Sequence, residues 1–190
     1  MPGITIHDFK SNVEDIIRPN RFLLSFENVP TGVPGFTEDM QYHVKSASIP
    51  SRTIGEITTL NWFGHQDKRS GDITYEPYTV IFWNNINLEL RTLMEQWVNL
   101  IADPITNTRR PASEYRAIIK LEQIGNSSKD PIMTYYLHDA WPKSLDTVEL
   151  SHETVDQVQE FSVSFTFNYF SSDVDPTVGS GIGLVHSNKK

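Results

Sequence analysis

Along residues 160–170, EFSVSFTFNYF, the apolar Phe161, Val163, Phe165, Phe167 and Tyr169 alternate with Ser162, Ser164, Thr166 and Asn168. A strand sends successive side chains to opposite faces, so this period of two predicts a strand with an aromatic face in the core and a hydroxyl and amide face turned away from it. The second face is unusual. A water-facing strand of this length ordinarily carries Lys, Glu or Arg, which also guard an edge against unwanted pairing. Here no charge appears until Asp173. Two expectations stay open: a central strand whose second face meets water, or a face lying against more protein.

Further runs of strand character occur at residues 21–29 (RFLLSFENV), 41–48, 57–63 (ITTLNWF), 79–83, 115–124 (YRAIIKLEQI) and 132–138. PTGVPG at 30–35, RSGD at 69–72 and GNSSKDP at 125–131 separate them as turn signals. The period changes once. Between residues 86 and 102 the apolar positions are Ile86, Leu90, Leu93, Met94, Trp97 and Ile101, with Glu89, Arg91, Glu95 and Asn99 on the remaining arc. That spacing predicts a helix with one buried stripe, capped by Asn84, Asn85 or Asn87 and stopped by Asp103-Pro104. The predicted class is mainly β: two packed antiparallel sheets with one flanking α-helix.

In LNWFGHQDKRSGDI, between Ile57 and Ile73, the apolar pattern lapses around a charged run. This predicts a long hairpin projecting from the body. Such a projection cannot bury itself, so it either moves in water or docks on a neighbour. In the docking reading Trp62 and Phe63 are the apolar anchors, and His65, Asp67, Lys68 and Arg69 complete the inter-subunit surface.

Composition narrows the function. The chain has 190 residues, enough for one domain with a sizeable core. Its 16 Lys+Arg against 24 Asp+Glu give a net charge of −8, which argues against a protein that grips nucleic acid through its phosphates. No cysteine occurs, so disulfides and thiolate metal sites are excluded. No apolar run is long enough for a membrane span or flanked like a secretion signal, so the chain is expected to be made and assembled in the cytoplasm with no membrane partner. Residues 1–17 are expected to form an N-terminal arm, 18–170 the domain, and 171–190, which include GSGIG at 179–183, a flexible tail.

Signals for chemistry are weak. The six histidines are scattered without metal-ligand spacing, and no nucleophile elbow, phosphate loop or dinucleotide fingerprint is present. No catalytic, cofactor-binding or metal-binding residue is expected. Trp62, Trp83, Trp97 and Trp141 offer a sugar-stacking platform in principle, but Trp97 on the helix stripe and Trp83 at a strand end read as core. A cysteine-free acidic β domain with two arms and a projecting hairpin reads as a subunit meant to assemble.

RPNRFLLSF at 18–26, KSASIPSRTIGEI at 45–57, GDITYEPYTVIFWNN at 71–85 followed by LRTLMEQWVNLI, PASEYRAIIKLEQI, HDAWPKSLDTVELSH and finally EFSVSFTFNYF resemble, in order and spacing, the tail tube proteins of contractile-tailed, T-even-type bacteriophages. The resemblance spans residues 18–170. It implies a fold shared with R-type pyocin and type VI secretion tubes, in which hexameric rings join their inner sheets into one barrel and stack into a tube inside a contractile sheath. The implied partners are other copies of the chain, the tail sheath protein, a baseplate tube-initiator, and a tape measure protein and double-stranded DNA in the lumen, the DNA passing without tight binding. The implied location is the virion tail. Beyond Phe170 the chain departs from the family pattern. A secretion or bacteriocin-like injection tube and a monomeric carbohydrate-binding β domain are the alternative readings.

A DNA conduit also constrains charge. Each Lys or Arg contact to phosphate adds affinity by releasing counterions, so a non-adhesive lumen should be neutral to negative. The adjacent basic pairs Lys68-Arg69, Arg109-Arg110 and Lys189-Lys190 fall in the hairpin tip, a loop and the tail. Arg116 and Lys120 are expected to be offset by acids such as Glu122 or turned away from the lumen.

Overall fold

A computed structural model of the chain describes residues 17–33, 36, 38–60, 64, 66–126, 130–153 and 155–173. Its strands are β1 (Phe22–Glu27), β2 (Val44–Ala47), β3 (Arg52–Leu60), β4 (Gln66–Tyr75), β5 (Tyr78–Trp83), β6 (Ala117–Ile124), β7 (Pro131–Leu145), β8 (Glu160–Thr166) and β9 (Tyr169–Ser172). The one α-helix among the described residues is α1 (Glu89–Ile101). Most of both expected arms, residues 1–16 and 174–190, lies outside the described residues.

One antiparallel path runs β1-β6-β7-β8-β5-β2, with β9 also pairing β7, while β3 and β4 form a separate two-stranded ribbon. The path folds into two layers because β7 belongs to both. Its first part pairs β6 and β9, and Trp141, Pro142, Ser144 and Leu145 pair β8. The corner lies at Asp139, whose φ of 58° is left-handed. Opposite it, the Asn168 N–H donates to the His138 carbonyl (3.1 Å) and its Nδ2 to Asp139 Oδ2 (2.8 Å). An Asp tolerates this backbone region better than bulkier residues, and the side-chain bond holds it there.

The core between the layers contains Leu24, Ile119, Leu137, Val80, Phe82, Val163 and Phe165, all fully buried. Helix α1 closes the open side with Leu90, Leu93, Met94 and Trp97. Trp97 has no exposure; its ring lies 6.2 Å from those of Phe26 and Phe165 and 5.6 Å from Phe36, and its Nε1–H donates to the Tyr115 carbonyl at 2.8 Å. The expected buried stripe is therefore present apart from Ile86, which lies before the helix and is fully exposed. The N-cap position is Leu88, left-handed at φ 53° and without a side-chain cap bond, and Asn85 satisfies the first helical N–H from three residues ahead of it. The Asn85 Oδ1 accepts from the Glu89 N–H (2.9 Å), while Asn85 and Asn87 Nδ2 donate to the Glu89 carboxylate.

Four further expectations need correction. Residues 41–43 belong to a 3₁₀ turn, Glu38–His43, ahead of β2. RSGD at 69–72 is no turn but lies inside β4. β7 continues past His138 to Leu145, with Pro142 next to a register shift, where a missing N–H is tolerated. Tyr169 is about half exposed, because the Asn168 corner shifts the alternation. Phe170 turns toward the core in its place, and Tyr169 stacks on His138 (4.5 Å, 17°). Phe161, Val163, Phe165 and Phe167 are buried as expected.

Candidate assembly interface

The expected hairpin is real and longer than its apolar lapse indicated. β3 and β4 pair from Arg52↔Tyr75 to Leu60↔Gln66 and, among the described residues, pair with no third strand. At about 3.3 Å per residue the ribbon extends roughly 30 Å. Its root is aromatic: Tyr75 meets Phe167 (5.5 Å) and Phe170 (5.8 Å), and the Arg52 guanidinium lies over the Phe170 ring (5.9 Å). Beyond the root, the described residues leave it largely uncovered. Ile54, Ile57 and Ile73 are each more than half exposed, Ile54 and Ile73 facing each other across the strands and Ile57 opposite Arg69. A two-stranded ribbon is at best marginal alone in water, and this apolar display makes it a candidate contact surface.

Of the hairpin residues singled out in the sequence, Asp67, Lys68 and Arg69 lie on β4 and are tied within the ribbon, Lys68 to Glu56 (2.9 Å) and Arg69 to Asp67 (2.9 Å). Trp62, Phe63 and His65 lie outside the described residues. The exposure of the three isoleucines is not legible in the sequence, because apolar residues among Thr and charge read equally well as an ordinary half-buried strand.

A bulge gives the ribbon its shape. Between Ile54↔Ile73 and Glu56↔Ser70 the register shifts, and the two backbones approach at Gly55 and Gly71. A Cβ on Gly71 would sit 3.0 Å from the Gly55 carbonyl carbon and 3.1 Å from its oxygen. Backbone cannot step aside as a side chain can, so Gly71→Ala should open the bulge. The expected result is faster amide hydrogen exchange along β3 and β4, with the melt of the body changed by no more than about 0.5 kcal/mol. Unchanged exchange would show that the ribbon tolerates the added methyl.

The outward face of β8 answers the question raised by its sequence. Ser162, Ser164 and Thr166 point away from the core and continue a hydroxyl field with Thr79 and Ser144; the Thr79 and Ser164 hydroxyls are 3.0 Å apart. Ser162 bonds the Asp146 carboxylate. The field ends at the Lys45–Glu160 ion pair (2.6 Å). Next to it, the chain from β7 to β8 borders an open cleft of about 960 Å³ lined by Trp83, Val148, Leu150 and Val158 together with Lys45 and Glu149, among others. Trp83 is 39% exposed and faces this cleft, so it is no core residue.

The other layer carries its charges in pairs. Lys120 Nζ lies 2.9 Å from Glu122 and 4.0 Å from Glu27, and Arg116 Nη1 lies 3.5 Å from Asp139. The hydrogen bond that Lys120 donates to Glu122 holds its ammonium above its usual range against the opposing effect of burial. Burial pushes the His138 imidazole below its usual range, with Asp139 pulling the other way. Arg110 pairs with Glu114 at 3.1 Å, while Lys189 and Lys190 lie outside the described residues.

The phage tail tube protein family matches residues 17–173 of this chain. The tail tube protein of Serratia phage KSP90 is 25% identical over 139 residues, which cover 72% of this chain and 77% of that protein. Among solved structures, a chain of the sheath/tube terminator of the extracellular contractile injection system PVC in its extended state superposes with a TM-score of 0.61 at 17% identity, covering 84% of this chain and 98% of that one. A chain of the six-fold symmetrised baseplate of the anti-feeding prophage gives 0.62 at 13% identity, covering 84% and 97%. At such identities these structural likenesses speak to the fold.

Proposed function

The chain belongs to the phage tail tube protein family, and on that premise we propose that six copies close into a ring and that rings stack into the inner tube of a contractile tail, the conduit for DNA. It is a structural component of the virion tail. The observation that carries the assembly reading is the β3–β4 ribbon, rooted on aromatic rings yet leaving Ile54, Ile57 and Ile73 uncovered. The partners in this reading are neighbouring copies, the sheath around the tube, a tube-initiating protein of the baseplate, and a tape measure protein and DNA inside. The role is mechanical and involves no catalysis or cofactor. Negative-stain imaging of concentrated protein is the direct test: rings or tubes are expected, and compact monomers at every concentration would overturn it.

Passage of DNA adds a second expectation. The pairing of Lys120 with Glu122 and of Arg116 with Asp139, together with a net charge of −8 on each copy, supports a wall that does not collect phosphates. Anisotropy titration of duplex DNA with free protein and with assembled tubes should show no tight binding even at low salt, where electrostatic attraction is strongest. Tight, salt-sensitive binding would place an uncompensated basic lining in the lumen.

A further inference from the structure

Helix α1 runs along β8. Near its start the Arg91 guanidinium lies over the Phe161 ring (5.5 Å) and donates to the Asp146 carbonyl (2.9 Å); near its finish Trp97 packs on Phe165 (6.2 Å), four residues further along β8. The cleft beside Trp83 and Glu160 therefore lies at the start of α1, and the loop at 102–110 lies past its finish. The 13 residues of the helix, at about 1.5 Å each, put roughly 20 Å between them. That loop holds a fixed shape. The Asp103 carboxylate accepts from the Ile105 N–H (2.9 Å) and the Thr106 hydroxyl (2.7 Å), while the Asp103 N–H donates to the Thr108 carbonyl (3.1 Å) and the Asn107 N–H to the Asp103 carbonyl (2.9 Å). From it Ile105 projects, 92% exposed. The cleft is held as well, the Asp146 N–H donating to the Ser162 carbonyl (3.0 Å) and the Asn84 N–H to the Gln159 carbonyl (3.0 Å). Yet its apolar lining is open: Leu150 is 83% exposed and Val158 65%.

We propose that the cleft receives the 102–110 loop of a second copy, head to tail, with Ile105 seated against Trp83, Leu150 and Val158 and Arg109 paired with Glu149. This contact rests on the tube reading and deepens it by naming two surfaces that meet. Charge agrees with the fit. In the cleft Lys45 is held by Glu160 (2.6 Å), which leaves Glu149 exposed and without a basic partner among the described residues. On the loop Arg110 is held by Glu114 (3.1 Å) and the Asp103 carboxylate by its own loop, which leaves Arg109 exposed and without an acidic partner among the described residues. Each side offers what the other lacks. An isoleucine carried on an ordered loop also loses little freedom on docking, so little of the gain from burying it is offset by ordering the chain. Standing some 20 Å apart at the two ends of a helix, loop and cleft cannot meet within one copy. Joined head to tail they give a ring where the rotation closes and a stack where it does not, the two arrangements a tube of rings is made of.

The absence of cysteine from the chain makes the contact directly testable. Ile105→Cys protein and Leu150→Cys protein, mixed before assembly and oxidised with diamide, should give covalent dimers containing one of each, and neither variant alone should dimerise. The Ile105→Cys/Leu150→Cys double variant should give a ladder of six chains or more. Arg109→Glu and Glu149→Arg, both at exposed positions, should each lower the sedimentable fraction severalfold while keeping the wild-type melt. Combined, the two reversals should restore assembly, which a local defect in either loop would not do. A ladder that stops at two, the mark of a reciprocal two-fold pair, would overturn the assignment. So would assembled tubes that do not cross-link, or a double reversal no better than its parts. Wild-type protein imaged alongside separates the two claims: tubes without the cross-link sink this contact alone, whereas the absence of both rings and tubes sinks the tube reading and this contact with it.

Discussion

Trp97→Ala should cost about 3–5 kcal/mol of stability, the expected range for removing a large aromatic side chain from a core. Against the 5–15 kcal/mol typical of a domain, that is enough to leave much of the chain unfolded near physiological temperature. Two losses add. The cavity forms where Phe26, Phe36 and Phe165 meet the indole, and the Tyr115 carbonyl loses its Nε1–H donor. Trp97→Phe separates them, keeping most of the packing and losing the bond, and should cost about 1–2 kcal/mol. Urea unfolding followed by circular dichroism measures both. A Trp97→Ala protein that unfolds with the wild type and fails only in assembly would place Trp97 at a contact with another copy, in conflict with its complete burial.

Shortening the ribbon should have the opposite signature. Residues 57–69 can be removed and the paired positions Glu56 and Ser70 joined through Asn-Gly, a two-residue turn whose twist suits a hairpin. The root at Arg52 and Tyr75, and the packing of Tyr75 on Phe167 and Phe170, stay in place. The body should therefore fold and melt cooperatively, because the core between the layers contains no described residue of the deleted segment. Tubes should be abolished. If the shortened protein assembles to full length, the ribbon is ornament and the exposed isoleucines need another explanation. Taken with Trp97→Ala, the two variants divide the chain between residues that hold the fold and residues that hold the assembly.

Much of this was legible in the pattern of side chains alone. The alternation of Phe161, Val163, Phe165 and Phe167 specified a strand and its buried face, and the spacing of Leu90, Leu93, Met94 and Trp97 specified the helix, because burial of one face imposes the period of the local structure. The hairpin was legible as a lapse in that pattern. Periodicity stops being informative wherever the backbone changes parity. The left-handed Asp139 and the Asn168 corner exchange Tyr169 for Phe170 as the inward residue, and the Gly55–Gly71 approach carries β4 straight through RSGD. Both depend on a bond or a close approach to a strand far away in the chain.

The same limit applies to the interface. The chain by itself determined a mainly β, acidic, cysteine-free subunit with one buried helical stripe and a projection unable to bury itself. Only the tertiary structure decided that Trp83 faces a cleft, that Lys120 and Arg116 are neutralised by Glu122 and Asp139, and that the 102–110 loop and the cleft occupy opposite ends of α1. The physical reason is that secondary structure follows from which faces avoid water, a local property of the sequence. Which surfaces are left over, and where they point, follows from how distant strands pair.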